Sequence, residues 1–201
     1  MKYGLALGAL FLVLSSAAHA QEPRANDNTT AIEAMGGNSV VQLRYLGPSP
    51  WEVTGPGRSN LDYGFLLSEN RDIIASTALM FHTNFNLLPG LKIDVGPKGY
   101  LALLSGLNKT DIFAVAFGAS ARYALIPRWG IAAFGSAFYS PGVLTFGSAH
   151  NLYDFTAGAE VSFTERLAGL AGYRWLKVTT IGEPDVRVQN EVFAGLRWRL
   201  Y

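Results

Sequence analysis

Tyr153-Asp154-Phe155-Thr156-Ala157-Gly158-Ala159-Glu160-Val161-Ser162-Phe163 is the stretch whose reading decides the fold. Tyr153, Phe155, Ala157, Ala159, Val161 and Phe163 interleave with Asp154, Thr156, Gly158, Glu160 and Ser162. Successive side chains of a strand point to opposite faces, so one face here is apolar throughout and the other carries two carboxylates. A segment of this kind separates an apolar medium from a polar one. A soluble sandwich and a transmembrane barrel both meet that requirement.

The N-terminus separates the two. Lys2 precedes the apolar run Leu5 to Leu14, then come Ser15, Ser16 and the small-x-small sequence Ala18-His19-Ala20. This has the form of a secretory signal peptide over 1–20 with cleavage after Ala20, and its apolar run is too short to anchor in a bilayer. Beyond it, 49% hydrophobic residues are spread through alternating segments, with no run approaching the roughly 20 that a membrane helix needs. Such a chain meets lipid only as a closed barrel, because open sheet edges leave backbone groups unsatisfied in hydrocarbon. Losing Lys2 leaves fifteen bases against fifteen acids, which argues against a nucleic-acid partner. The chain has no cysteine, so neither a disulfide framework nor thiolate chemistry is expected.

The register extends in both directions from the deciding stretch. In the last strand Val186, Val188, Val192, Ala194, Leu196, Trp198 and Leu200 are expected outward, with Arg187, Gln189, Glu191, Arg197 and Arg199 inward. The strand from about Leu167 to Val178 puts Ala171, Tyr173 and Trp175 outward and Gly172 and Arg174 inward. Asp111 to Tyr123 places Arg122 inward, and Gly130 to Tyr139 follows, with Phe134 and Phe138 on its inward face. Leu91 to Leu103 carries Lys92, Asp94, Lys98 and Tyr100 inward, with Pro97 predicting a bulge or break. Ile73 to Phe85 turns His82 inward, and Asp62 faces in from the first strand near Ser59.

The expected fold is therefore all-β, an antiparallel transmembrane β-barrel of eight strands over 59–201, with ten strands as the alternative. Ser39 to Tyr45 also alternates, so 39–58 reads as an extra β-segment and a Gly/Pro-rich link. Residues 21–38 are polar without a period and read as a flexible periplasmic tail. Short and long connections alternate along the chain, which predicts turns on the periplasmic side and loops outside.

Val95-Gly96-Pro97-Lys98-Gly99-Tyr100, Phe138-Tyr139-Ser140-Pro141-Gly142-Val143-Leu144, Ala157-Gly158-Ala159-Glu160, Ala171-Gly172-Tyr173-Arg174-Trp175 and Phe193-Ala194-Gly195-Leu196-Arg197 resemble, in order and spacing, the YfaZ family of small bacterial outer-membrane proteins. The likeness covers roughly Ser39 to Tyr201. It implies an outer-membrane location and a family without an established activity, and it carries over no catalytic residue. The chain departs from the general outer-membrane pattern in placing terminal Tyr201 inward and Leu200 outward.

Function rests on the inward charges. Asp62, Asp94, Lys98, Arg122, Asp154, Glu160, Arg174, Arg187, Glu191, Arg197 and Arg199 form a candidate lumen network. In eight strands, paired charges of both signs fill the lumen as a structural plug; a slight basic excess offers the alternative of a narrow anion-preferring path. Tyr63, Tyr123, Tyr139, Tyr173, Trp175 and Trp198 are expected as an aromatic girdle at headgroup level. Lys177 is a candidate contact for lipopolysaccharide phosphates, with snorkelling as the alternative. Ser148, His150 and Asp154 are the one arrangement open to a lipid-modifying reading, and no known motif matches it, so the chain is expected not to be an enzyme. Neither a metal nor a cofactor site is expected. The expected partners are outer-membrane lipid, lipopolysaccharide and the outer-membrane assembly machinery, and the chain is expected to be a monomer.

Overall fold

A computed structural model describes residues 30–49, 59–83, 88–105, 110–147, 149–180 and 185–200. The proposed signal peptide, residues 21–29, most of the Gly/Pro-rich link, Ser148 and Tyr201 lie outside these. Eleven strands follow in chain order: β1 (Thr30–Gly36), β2 (Val40–Pro48), β3 (Ser59–Ser68), β4 (Ile73–Thr83), β5 (Leu91–Leu104), β6 (Thr110–Ile126), β7 (Ile131–Ser140), β8 (Thr145–Phe146), β9 (Ala149–Ser162), β10 (Leu167–Thr180) and β11 (Val186–Leu200).

Every pairing between them is antiparallel, and β1 pairs with β11 through Thr30↔Leu200 to Gly36↔Ala194. That pairing and β5 with β6 close the sheet into a barrel of ten strands. The two-residue β8 lies on β6 at Phe113 and Ala114, beyond the point where β7 ends. Closure removes the sheet edges that lipid could not satisfy.

The eight-strand expectation is corrected to ten. The missing strand is β1, inside what the sequence reads as a tail: Ile32 and Ala34 point out and Ala31, Glu33 and Met35 are buried. Its period was obscured because the inward face mixes a carboxylate with Ala and Met, which sequence alone does not sort from a polar linker. Val40 to Tyr45 of the extra segment belong to β2, the other added strand, which pairs with β1 through Ile32↔Tyr45 and Ala34↔Leu43.

The deciding stretch keeps its two faces. Phe155 and Val161 are exposed on the barrel wall, and Asp154 and Glu160 are buried inside. Phe134 and Phe138 also point inward, as their register implies; Phe138 is buried and Phe134 packs with Phe193. At Pro97 the strand runs on without a register shift. Only the ladder toward β4 is interrupted, between Ala78↔Lys98 and Phe81↔Val95. Gly96 is required there, because a Cβ would lie 2.0 Å from the Leu79 carbonyl oxygen.

The register of β11 is corrected at its start. A shift between Leu176↔Gln189 and Lys177↔Arg187 inserts an extra residue. Such a bulge exchanges the faces before it. Val188 and Gln189 are therefore both buried, Val186 packs against the inner core, and Arg187 is exposed. Arg187 leaves the predicted lumen set.

The expected separation of short turns from long loops is also revised. The 127–130 and 163–166 turns lie at the end that carries β1's start and β11's finish, whereas 37–39 and 69–72 lie at the opposite end. A tight turn needs only a residue tolerant of positive φ, and Gly130 (φ 63°) and Arg71 (φ 65°) supply one at each end.

Candidate functional site

The lumen is the site, and it has two unlike halves. Toward the end opposite the termini, inward positions of seven strands are aliphatic: Leu66, Ile74, Leu104, Ile112, Leu152, Leu176, Val178 and Val188 are all buried in one contiguous cluster. Ile112, Leu176 and Val178 have no exposed surface at all. An interior packed like this is a core rather than a water path.

Beneath that layer lies a charged tier. Asp154 on β9 accepts hydrogen bonds at Oδ2 from Lys98 Nζ (3.1 Å), Tyr100 OH (2.7 Å) and Arg174 Nη2 (2.9 Å), and at Oδ1 from Arg174 Nε (2.9 Å). Arg174 Nη1 donates to Gln42 Oε1 at 2.6 Å. The Lys98 ammonium also sits 4.9 Å from the Tyr100 ring centre and 5.0 Å from that of Phe138. One carboxylate thus ties β5, β9, β10 and β2 across the lumen, and its forked contact with Arg174 fixes geometry as well as charge.

A second tier lies nearer the termini. Arg44 donates to Asp62 Oδ2 (2.5 Å) and Glu33 Oε2 (3.0 Å). Arg197 bridges Glu33, with Nε at 2.7 Å from Oε1, to Glu160. Glu160 also accepts from Arg122 (3.0 Å) and from Arg199, so three guanidinium groups share one buried carboxylate. Arg199 continues to Ser162 Oγ at 3.2 Å. Burial of these groups is tolerable only because each carboxylate meets several donors.

Below the Asp154 tier, and lined by the second tier, the lumen opens toward the end carrying the termini as a cavity of about 1060 Å³. Met80, Lys98, Phe138 and Arg174 form its floor and Glu165, Arg166, Pro127 and Leu200 its mouth. Among the described residues its wall carries eight bases, Arg44, Lys92, Lys98, Arg122, Arg166, Arg174, Arg197 and Arg199, against four acids, Glu33, Asp62, Asp94 and Glu165. Asp154 and Glu160 behind the wall raise the acids to six, which leaves two positive charges in excess.

Nine of the eleven predicted lumen charges come together here or border the cavity. Asp94 does so beside His82, whose Nδ1 lies 2.9 Å from Asp94 Oδ1. Glu191 does not join the cluster. It sits at the rim, where Oε2 accepts from Asn38 N, Ser39 N and Ser39 Oγ, each at 3.0 Å, and holds the β1–β2 turn. Sequence reading missed Glu33, Arg44 and Gln42. Glu33 lay in the presumed tail, and the other two lay in a segment whose partner strand was missing.

The girdle residues all face outward. Tyr139, Tyr153 and Trp175 form a run of ring contacts across β7, β9 and β10, at 5.0 and 6.0 Å between centres. Tyr173 hydrogen-bonds Asn190 through its hydroxyl group. Lys177 meets Asp185 at 2.6 Å. The His150 and Asp154 pairing required by the lipid-modifying reading does not form: His150 is exposed beyond a register irregularity in β9, and both oxygens of Asp154 are engaged in the lumen. Among the described residues, no three metal-ligating side chains gather.

A family profile described as YfaZ precursor matches residues 60–200. No match was found among curated protein sequences. Among solved structures, a bacterial polysaccharide outer membrane secretin is similar with a TM-score of 0.48 and 15% identity, over 88% of this chain and 66% of that one. The KdgM porin is similar at TM-score 0.42 and 9% identity, and the KdgM porin in complex with disordered oligogalacturonate at 0.43 and 10%. Both alignments cover 86% of this chain and 99% of the porin.

Proposed function

Because the chain belongs to the YfaZ family, we propose that it is an integral outer-membrane barrel with an occluded, charged lumen, acting as a structural or interaction component rather than as a pore or an enzyme. The observation that carries the reading is the aliphatic layer of Leu66, Ile74, Leu104, Ile112, Leu152, Leu176 and Val178, which fills the barrel above the Asp154 tier. Its outward counterpart supports membrane placement. Val41, Phe117, Val192 and Trp198 are each more than half exposed on the barrel wall, a surface suited to hydrocarbon and unsuited to water. Lipid and lipopolysaccharide are then its immediate surroundings, the assembly machinery inserts it, and it works as a monomer.

The second reading, a narrow anion-preferring channel, draws on the ten strands and the basic excess of the cavity wall. Planar-bilayer recording decides between the two. The occluded barrel gives a flat baseline, and removing side chains from the aliphatic layer, as in Leu176→Gly with Leu152→Gly, introduces openings. Steady open levels from the unaltered protein would overturn occlusion. For the non-enzymatic reading, mass spectrometry of lipid A after overexpression should show an unchanged acyl pattern.

A further inference from the structure

We propose that the cavity at the end carrying the chain termini is a binding pocket for a small neutral saccharide, seated on a row of three hydroxyl groups, those of Ser120, Ser136 and Thr156. The inference rests on the occluded reading, because only a lumen closed at its far end holds a solute instead of passing it. A volume of about 1060 Å³ is ample for such a ligand.

The charges on the wall do not call for a counter-ion. Each of the eight bases facing the cavity already has a partner within the protein. What the wall leaves over is neutral. Ser120 and Ser136 are direct cross-strand partners on β6 and β7, and Ser136 and Thr156 on β7 and β9. All three line the cavity and are half-buried. Among the described residues none of their hydroxyl groups has a hydrogen-bond partner. The row continues to Asp94 on β5 and Arg174 on β10, which are engaged by His82 and Asp154. Neighbouring strands stand about 5 Å apart, so successive hydroxyls of the row are spaced for a guest hydroxyl to bridge two of them with bonds of ordinary length. A serine or threonine hydroxyl both donates and accepts, as a sugar hydroxyl does.

The rings beside the row supply the other half of the match. Phe134, Ser136 and Phe138 are successive inward positions of β7, and all three line the cavity. A Cβ on Gly158 would lie 2.6 Å from Phe134 Cζ, and one on Gly118 would lie 2.6 Å from Phe138 Cδ1. The two rings therefore cover glycines on β9 and β6, leaning away from Ser136 on opposite sides. Lys98 caps Phe138, whereas Phe134 is half-buried and opens to the cavity. The electron-rich face of an aromatic ring suits the C–H face of a pyranose, while the hydroxyl row takes its oxygens.

The test is saturation-transfer difference NMR on the full chain in deuterated, non-glycosidic detergent micelles, with glucose, galactose and maltose as separate titrants and citrate as the charged control. At least one sugar should give a saturable signal that is insensitive to salt and strongest at the C–H protons of one ring face, and citrate should bind more weakly than that sugar. Ser136→Ala should weaken binding about threefold, as expected for one neutral hydrogen bond, and the triple variant Ser120→Ala, Ser136→Ala, Thr156→Val about tenfold or more. Phe134→Leu should remove the one-face pattern. Heat-modifiable gel migration identifies variants that remain folded, and the hydroxyl variants serve if Phe134→Leu does not fold. No saturable signal with any of the sugars, unchanged affinity in the folded triple variant, or tighter binding of citrate than of every sugar overturns the pocket. Bilayer conductance is read separately: a silent barrel that takes none of the sugars defeats this inference alone, whereas steady conductance defeats the occluded reading on which it stands.

Discussion

Asp154→Asn changes one atom type and no volume, and it isolates the charge at the centre of the lumen. The wild-type carboxylate accepts from four donors, Lys98 Nζ, Tyr100 OH and two nitrogens of Arg174. In asparagine one of the two oxygens becomes an NH2 group, which confronts donors in either orientation. Side-chain exposure is 2% for Asp154, 8% for Lys98 and 6% for Arg174, so water does not replace what is lost. Two buried cations then lack a counter-ion, a situation that costs about 3–5 kcal/mol. Urea unfolding of the protein in lipid vesicles, followed by tryptophan fluorescence, measures that loss. The companion triple variant, Asp154→Leu with Lys98→Met and Arg174→Met, removes the whole charged group and should recover most of the stability, since apolar replacement of a buried ion pair is often neutral or favourable. A loss below about 1 kcal/mol in Asp154→Asn, or a triple variant no better than the single one, would refute the claim that this carboxylate holds the tier together.

Gly96→Ala should fail to assemble or lose about 1–3 kcal/mol, because its Cβ would lie 2.0 Å from a backbone oxygen across the β4–β5 ladder; heat-modifiable migration reads the outcome. Leu176→Ala, in the fully buried aliphatic layer, should cost about 2–5 kcal/mol by the same vesicle unfolding assay. Tyr153→Leu removes both of its ring contacts, to Tyr139 and Trp175, at about 0.5–1.5 kcal/mol each while keeping an apolar surface toward lipid; denaturant midpoints of the single and paired variants check the additivity. Asp185→Asn should leave stability within about 1 kcal/mol, because its bridge to Lys177 is a partly exposed rim contact.

The strands that were legible in sequence are those whose two faces differ most. Asp154 and Glu160 set against Phe155 and Val161 leave one solution, and that solution is the one the chain adopts. Legibility failed where the inward face is itself apolar or mixed. The occluding layer was hidden for this reason: Leu152, Leu176 and Val178 share the inward face of Asp154 and Arg174, but being apolar they end the polar-against-apolar contrast that marks a lumen. β1 was hidden because Glu33 interrupts an otherwise small, weakly apolar segment. The displaced Arg187 has a different cause, since a one-residue bulge has no composition of its own and appears only in the pairing with β10. Within the charge network the residue types were readable, but the sharing of Glu160 by three arginines was not, because it depends on which strands become neighbours on closure.

The seam between β1 and β11 has a consequence for how the barrel is made. Thr30 pairs with Leu200, so the first strand finds its second neighbour only when the last residues of the chain have arrived. Loop closure over almost the whole chain carries the largest entropy penalty of any pairing here, and places this joint last in the order of formation. The first strand is also short, seven residues against fifteen in its partner. Side chains reinforce what the backbone ladder lacks: Arg197 on β11 grips Glu33 on β1, and Glu191 secures the turn that follows. The joint is therefore a zip fastener with a charged catch, the last part to shut and the first place at which the cylinder would part.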